Sequence, residues 1–179
     1  MRPLRLVMRG FGPFAGEAEI DFRALGGDVL FGIYGPTGGG KTSILDALCF
    51  ALFGESSGQE RTAGHLRSQH ADEETSVELL FAVGGKRYFV RRAPEQELAK
   101  KRGVGTTSRP HEASVFDVTE LDIDAVCYPD RVGRVLAERR VRDVDEAIQD
   151  LLGYTAAQFR QVIVLPQGRF RELLTARNE

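Results

Sequence analysis

The chain has 179 residues, of which 42% are hydrophobic and 28% charged, with a net charge of −2. That suits one domain or one lobe of a larger one, with enough apolar material for a core, and it excludes a globally basic nucleic-acid binder. Two cysteines, Cys49 and Cys127, are too few for a disulfide framework and are expected to be reduced, mostly buried thiols. The sequence carries no run of the ~18 apolar residues that a membrane span needs, and its first residues alternate rather than form an apolar leader, so the expected setting is cytoplasmic with no membrane partner.

In chain order, Leu4, Leu6 and Met8 alternate with Arg5, Val7 and Arg9, which predicts a strand. A glycine-rich turn over 10–16 leads to a second alternating strand at Ala18, Ile20 and Phe22, so the pair reads as a hairpin. Val29–Tyr34 is a nearly continuous apolar run, as in a strand buried on both faces. A glycine loop follows, then an apolar helix from about Lys41 to Phe53. Residues 54–75 read as polar loop. Val77–Val83 and Arg87–Arg91 flank Gly84-Gly85, a hairpin signal. Residues 94–110 read as a surface loop, and Ser114–Val118 as a strand. Ile123–Tyr128 and Val132–Leu136 are expected to pair around Pro129-Asp130. Val144, Ala147, Ile148, Leu151 and Leu152 have helical spacing, with Asp143 a candidate cap and Gly153 a stop. Thr155 is a candidate cap for a short helix through Arg160. Val162–Leu165 reads as extended and Phe170–Ala176 as helical.

The most specific feature is Gly35-Pro36-Thr37-Gly38-Gly39-Gly40-Lys41-Thr42, followed by Ser43, which matches G-x-x-x-x-G-K-[ST]. Glycines let the backbone curl so that successive N–H groups converge on phosphate oxygens, and the helix that follows offers its unpaired N–H groups and positive dipole end. Lys41 would put an ammonium on the β and γ phosphates, and the Thr42 hydroxyl would be a ligand for Mg²⁺. The nucleotide is expected to be ATP, because the only asparagine is Asn178 and no Asn-Lys-x-Asp guanine reader exists. Two strands precede the loop, whereas a small P-loop kinase has its loop close to the first residues.

Three segments resemble the SbcC-type repair ATPases, relatives of ABC transporters and SMC proteins. The first is Leu6–Phe22, similar to that family's first hairpin. The second is Gly35–Ala47, in which Thr37 is closer to this family than to SMC or RecF-like proteins, which typically have Asn there. The third is Phe159–Leu173, whose Val164–Phe170 stretch looks like the family's Q-loop. The resemblance implies an α/β P-loop NTPase fold: residues 1–168 as the N-terminal lobe of an ABC-type ATPase head with a mixed or antiparallel sheet and the Walker A helix, and 169–179 as a helix leading to a coiled coil. It implies that Gln167 contacts Mg²⁺ or its water and senses the γ-phosphate. It also places Ser68 and His70, within Arg67-Ser68-Gln69-His70, where relatives touch the nucleotide; a polar surface loop is the alternative. In some relatives a basic residue and a serine follow the first-strand Phe; here Phe11 is followed by Gly12-Pro13, so any adenine contact there is backbone or apolar.

A Walker B strand, a Ser-Gly-Gly signature and a switch histidine are missing from the sequence. In the resembled family they lie beyond a coiled coil, so the chain is expected to be part of a longer protein, active as an ATPase only with its C-terminal half. The implied partners are that half, a second head in a homodimer, an SbcD-like nuclease and DNA, in double-strand-break or hairpin processing. Lys86, Arg87, Arg91, Arg92, Lys100, Lys101, Arg102 and Arg109 make residues 86–110 a candidate DNA contact, with an ordinary solvated face as the alternative. Asp46, on the helix after the loop, reads as a helix-surface or structural acid, with a catalytic carboxylate as the alternative. The alternatives are a stand-alone P-loop kinase with Arg139, Arg140 and Arg142 as a lid, an SMC or RecF-like ATPase, and a scaffold in which nucleotide only regulates docking.

Overall fold

A computed structural model describes residues 1–26, 32–58, 66–100 and 104–162, with side chains to 160. Strands β1 (Arg2–Phe11) and β2 (Phe14–Asp21) form the first hairpin, and helix α1 spans Lys41–Phe53. Strands β3 (Ser76–Val83) and β4 (Lys86–Ala93) form the second hairpin. A short ribbon of β5 (Gln96–Ala99) and β6 (Thr106–Arg109) follows, then β7 (Glu112–Asp117), β8 (Arg134–Glu138), α2 (Val141–Leu152) and α3 (Ala156–Val162). The main sheet has the order β2-β1-β3-β4-β7-β8, and all of its pairings are antiparallel. The expected α/β lobe with its loop-proximal helix is therefore present, with the antiparallel form of the sheet.

Period-two alternation sorts the side chains to two faces. Leu6, Met8, Leu79, Phe81, Val90 and Val115 meet α1 and α2 on one face, while Leu80, Phe89, Phe116, Val118 and Val126 form a smaller cluster on the other. An irregularity between Pro3 and Arg5 turns Leu4 to the smaller cluster, out of step with Leu6 and Met8. Helix α1 contains neither Gly nor Pro and is buried on most sides; Leu48, Phe50 and Leu52 each stabilise the core by ~1.5–3 kcal/mol. Gly54, left-handed at φ 72, ends it by donating its N–H to Phe50 O at 2.8 Å. Helix α2 buries Val144 and Ile148 and stops at left-handed Gly153, as expected. Thr155 caps α3: its hydroxyl accepts from Gln158 N at 3.4 Å while Gln158 Oε1 accepts from Thr155 N at 2.8 Å.

Several expectations need correction. Residues 94–110 are not all loop, because Gln96–Ala99 pairs with Thr106–Arg109; the paired side chains are mostly polar and show no apolar alternation. Ile123–Tyr128 does not pair with Val132–Leu136. Asp122 accepts from Asp124 N at 3.1 Å and winds Ile123–Ala125 into a 3-10 turn, a single Cys127–Arg131 bridge closes around Pro129-Asp130, and β8 pairs with β7 instead. Helix α2 starts three residues before Val144, with Arg140 rather than Asp143 at its N-cap; Asp143 lies in the first turn, where its charge suits the helix dipole. Cys49 is buried but Cys127 is exposed. In the run Val29–Tyr34, residues 32–34 are irregular and Tyr34 is 93% exposed; no described strand lies beside them to hydrogen-bond a strand buried on both faces. Val162, expected to open an extended stretch, is instead the last residue of α3. Residues 29–31 of the earlier run, residues 163–165, Gln167 and the expected helix over 169–179 lie outside the described residues. Among the described residues no helix is long and apolar enough to cross a membrane.

Candidate phosphate-binding site

The glycine loop sits at the N-terminus of α1, whose first intrahelical bond is Ile44 N to Gly40 O at 3.1 Å. The N–H groups of Lys41, Thr42 and Ser43 therefore have no acceptor within the helix. Gly40 is its N-cap, left-handed at φ 84, with no side-chain cap and no acidic residue in the first turn to compete for an anion. Gly38 is also left-handed at φ 83, and Gly39 N bonds to Pro36 O at 3.1 Å, which curls the loop. Gly35, Pro36, Thr37, Gly38, Gly39 and Thr42 are exposed. Lys41 Nζ donates to Gly35 O at 2.8 Å and Pro36 O at 2.7 Å. An ammonium has three donors, so one remains for an outside acceptor. These features fit an anionic phosphate chain: helix-start amides without an intrahelical acceptor, a dipole end, a cation with no ion pair among the described residues and an exposed hydroxyl.

The loop is buttressed by the β1–β2 turn. Gly40 is buried, and a Cβ there would lie 2.6 Å from Phe14 Cζ and 3.0 Å from Pro13 Cγ. Gly12 does the same one turn along α1, because a Cβ on it would lie 2.7 Å from Ser43 Oγ. Ser43 is thus buried against Gly12, while Thr42 is the exposed hydroxyl of the pair.

The structure brings Ser68 to the end of β1, where its N–H donates to Gly10 O at 2.8 Å, and buries it at 3% exposure. Its hydroxyl accepts from His70 N at 3.4 Å, and His70 itself is exposed. Asp46 is buried and accepts from Ser57 N at 2.9 Å, tying the chain after α1 back to the helix, in keeping with a structural acid. Among the described residues the candidate basic region is not one continuous exposed surface. Arg92 is fully buried, Arg91 is buried under Tyr128 (4.6 Å to the ring centre), and Arg87 is bonded to Thr119 O. Lys86, Lys100 and Arg109 remain exposed; residues 101–103 lie outside the described residues. Of the three arginines named for a kinase lid, Arg142 pairs with Glu146 at 2.8 Å and Arg139 lies 3.8 Å from Glu138.

Two structural groups escaped the sequence reading. Arg92 Nε donates to Ala51 O at 2.9 Å and its Nη2 to Leu52 O at 3.0 Å and Asp145 Oδ1 at 2.6 Å, so it closes the C-terminal end of α1. Burial pulls its pKa down, partly offset by Asp145. Its position was available from alternation, since Tyr88, Val90 and Arg92 share a face. The other is Arg67, which turns inward to Thr75 and Gln96 at 2.9 Å each.

Comparison with known proteins adds the lineage. Across its whole length the chain is 46% identical to the SbcC protein of the SbcCD nuclease of Vibrio cholerae. It is 38% identical over 98% of its length to the protein of that name in Staphylococcus haemolyticus, and 38% over 97% in Lactococcus lactis. It spans only 16–17% of the length of these relatives. The AAA domain family matches residues 5–179. With a curled glycine loop at the head of a buried helix and a match over nearly every residue, the chain belongs to the AAA domain family.

Proposed function

We propose that this chain is the N-terminal part of the ATP-binding head of an SbcC-like protein in a DNA-repair nuclease. The observation that carries the reading is the Gly35–Thr42 loop, curled at a helix N-terminus whose first N–H groups have no intrahelical acceptor. Support comes from relatives named as the SbcC part of the SbcCD nuclease, which match the chain from end to end. In this reading Gly35–Gly40 cradle the phosphates, Lys41 neutralises the β and γ charges, Thr42 holds Mg²⁺, and Gln167 contributes to the same ion. Bound Mg²⁺ would spread the charge of the triphosphate. Ser68, in its buried position, acts by holding the end of β1 rather than by reaching ribose, and His70 is the candidate for contact from that segment.

The irregular residues 32–34, of which Gly32 and Tyr34 are exposed, fit a strand completed by neighbours from the C-terminal half, which would also supply the Walker B carboxylates. The working unit is then two heads closing over ATP as a nucleotide-driven switch, with an SbcD-like nuclease and DNA as partners. Supplying the C-terminal half in trans tests this. ATPase activity is expected only when both halves are present. Phosphate transfer to a small acceptor by this chain alone would instead favour a kinase, and nucleotide binding without turnover in the reconstituted head would favour a scaffold.

A further inference from the structure

We propose that Arg67 is a positioning residue for the phosphate loop, holding the β1–β2 turn against it from behind. The inference rests on the nucleotide-binding reading above and extends it to a residue that does not face the loop. Arg67 Nη1 donates to Glu73 O at 2.8 Å, Thr75 Oγ1 at 2.9 Å and Gln96 Oε1 at 2.9 Å, and Nη2 donates to Ala71 O at 2.8 Å. All four acceptors are neutral oxygens, so the planar guanidinium acts as a fixed fork rather than as half of an ion pair. It gathers residues 71–75 into a strap.

The strap is tied to the turn at several points. Thr75 Oγ1 donates to Gly10 O at 2.9 Å, Ser68 N to the same oxygen at 2.8 Å, and Gly12 N to Leu66 O at 2.8 Å; Arg67 itself forms a backbone bridge to Phe11. There is no slack: a Cβ on Gly10 would lie 2.8 Å from Ala71 Cβ. On its other side the turn meets the loop directly, Gly12 against Ser43 and Pro13-Phe14 against Gly40. A shift of the strap must therefore move the turn, and a shift of the turn must disturb the left-handed N-cap of α1. Gln96 fastens the far end. Its Oε1 accepts from Arg67 and from Thr75 N at 2.7 Å, and its Nε2 donates to Thr75 O at 2.9 Å and Pro94 O at 3.2 Å. Gln96 is also the first residue of the separate β5–β6 ribbon, so the ribbon is anchored to the same strap.

The test is titration of the full-length protein with a fluorescent ATP analogue and Mg²⁺, beside the thermal midpoint of the nucleotide-free protein. Arg67→Ala is expected to weaken binding ~10-fold, with Arg67→Lys recovering part of the loss. Gln96→Leu should weaken binding in the same direction, and the double variant should lose less than the sum of the two, as expected for groups in one network. Affinity within about twofold of the parent for Arg67→Ala, whatever happens to its thermal midpoint, overturns the proposal and leaves Arg67 a residue of fold alone. If Arg67→Ala does not fold, Gln96→Leu decides on the same criterion. Lys41→Ala serves as the separate control: if it binds normally, the nucleotide reading has failed; if it alone loses binding, only the role of Arg67 has.

Discussion

The two ends of α1 are built in opposite ways. At the N-terminal end the backbone N–H groups face an exposed glycine loop, no described side chain caps them, and the β1–β2 turn supports them from behind. At the C-terminal end Gly54 turns the chain, and the buried guanidinium of Arg92 takes the carbonyls of Ala51 and Leu52 while reaching Asp145 on α2. A helix concentrates partial positive charge at its start and partial negative charge at its finish. Here the negative end is answered from inside the fold, while the positive end is offered to whatever anion enters the loop. Buried contacts hold one end of the helix and open amides mark the other, so substitutions at its two ends should differ in kind.

The largest effect is expected at the closed end. Arg92→Met keeps most of the volume but leaves two buried carbonyls without their donors, and should cost ~3 kcal/mol in denaturant unfolding with little change in the affinity of the protein that remains folded. A loss under half of that would show that Arg92 only fills space. At the open end, Gly40→Ala forces a side chain into φ 84 and onto the Phe14 ring, at a cost of ~1–3 kcal/mol, and should disrupt nucleotide binding as well. Parallel urea and ligand titrations check both; an Ala that binds normally would mean that the left-handed cap is dispensable.

The smallest effect is a pH dependence near the closed end. His111 stacks on Phe50 with ring centres 5.7 Å apart, and burial, then the nearby Arg92, push its pKa below the ordinary 6.5, against a smaller pull from Asp145. The unfolded chain therefore takes up a proton that the folded protein refuses. Stability contributed by neutral His111 is present above pH ~6.5 and is lost as pH falls from there toward its lowered folded value. Denaturation midpoints between pH 7 and 5 should drop more steeply in the parent than in His111→Gln. Equal slopes would remove His111 from the account.

Much of this arrangement was legible in the sequence, for local reasons. The bounds of α1 follow from an apolar run held between Gly40 and Gly54, and the β3–β4 hairpin from Gly84-Gly85 between alternating segments. The loop was legible because its chemistry needs a fixed spacing of residue types. What could not be read was tertiary. The β5–β6 strands carry mostly polar side chains and are fastened through Gln96 and its partners rather than by a buried stripe. The expected partner of β8 was wrong because Asp122 diverts its neighbours into a tight turn. Arg91 and Arg92 belong to a basic run that composition alone assigns to the surface, whereas alternation places Arg92 beside Val90 on the core face. The support of Gly40 by Phe14 links residues 26 positions apart, through a contact that no local pattern announces.

The central claim is that the open end of α1 grips a magnesium-bound triphosphate. Among the described residues Lys41 donates only to two carbonyls of the exposed loop, so Lys41→Ala should leave folding stability within ~0.5 kcal/mol of the parent. Isothermal titration of both proteins with ATP and Mg²⁺ is the direct measurement. The account predicts at least a ~10-fold loss of affinity in the variant at an unchanged unfolding midpoint. Equal affinity in the two proteins would contradict it.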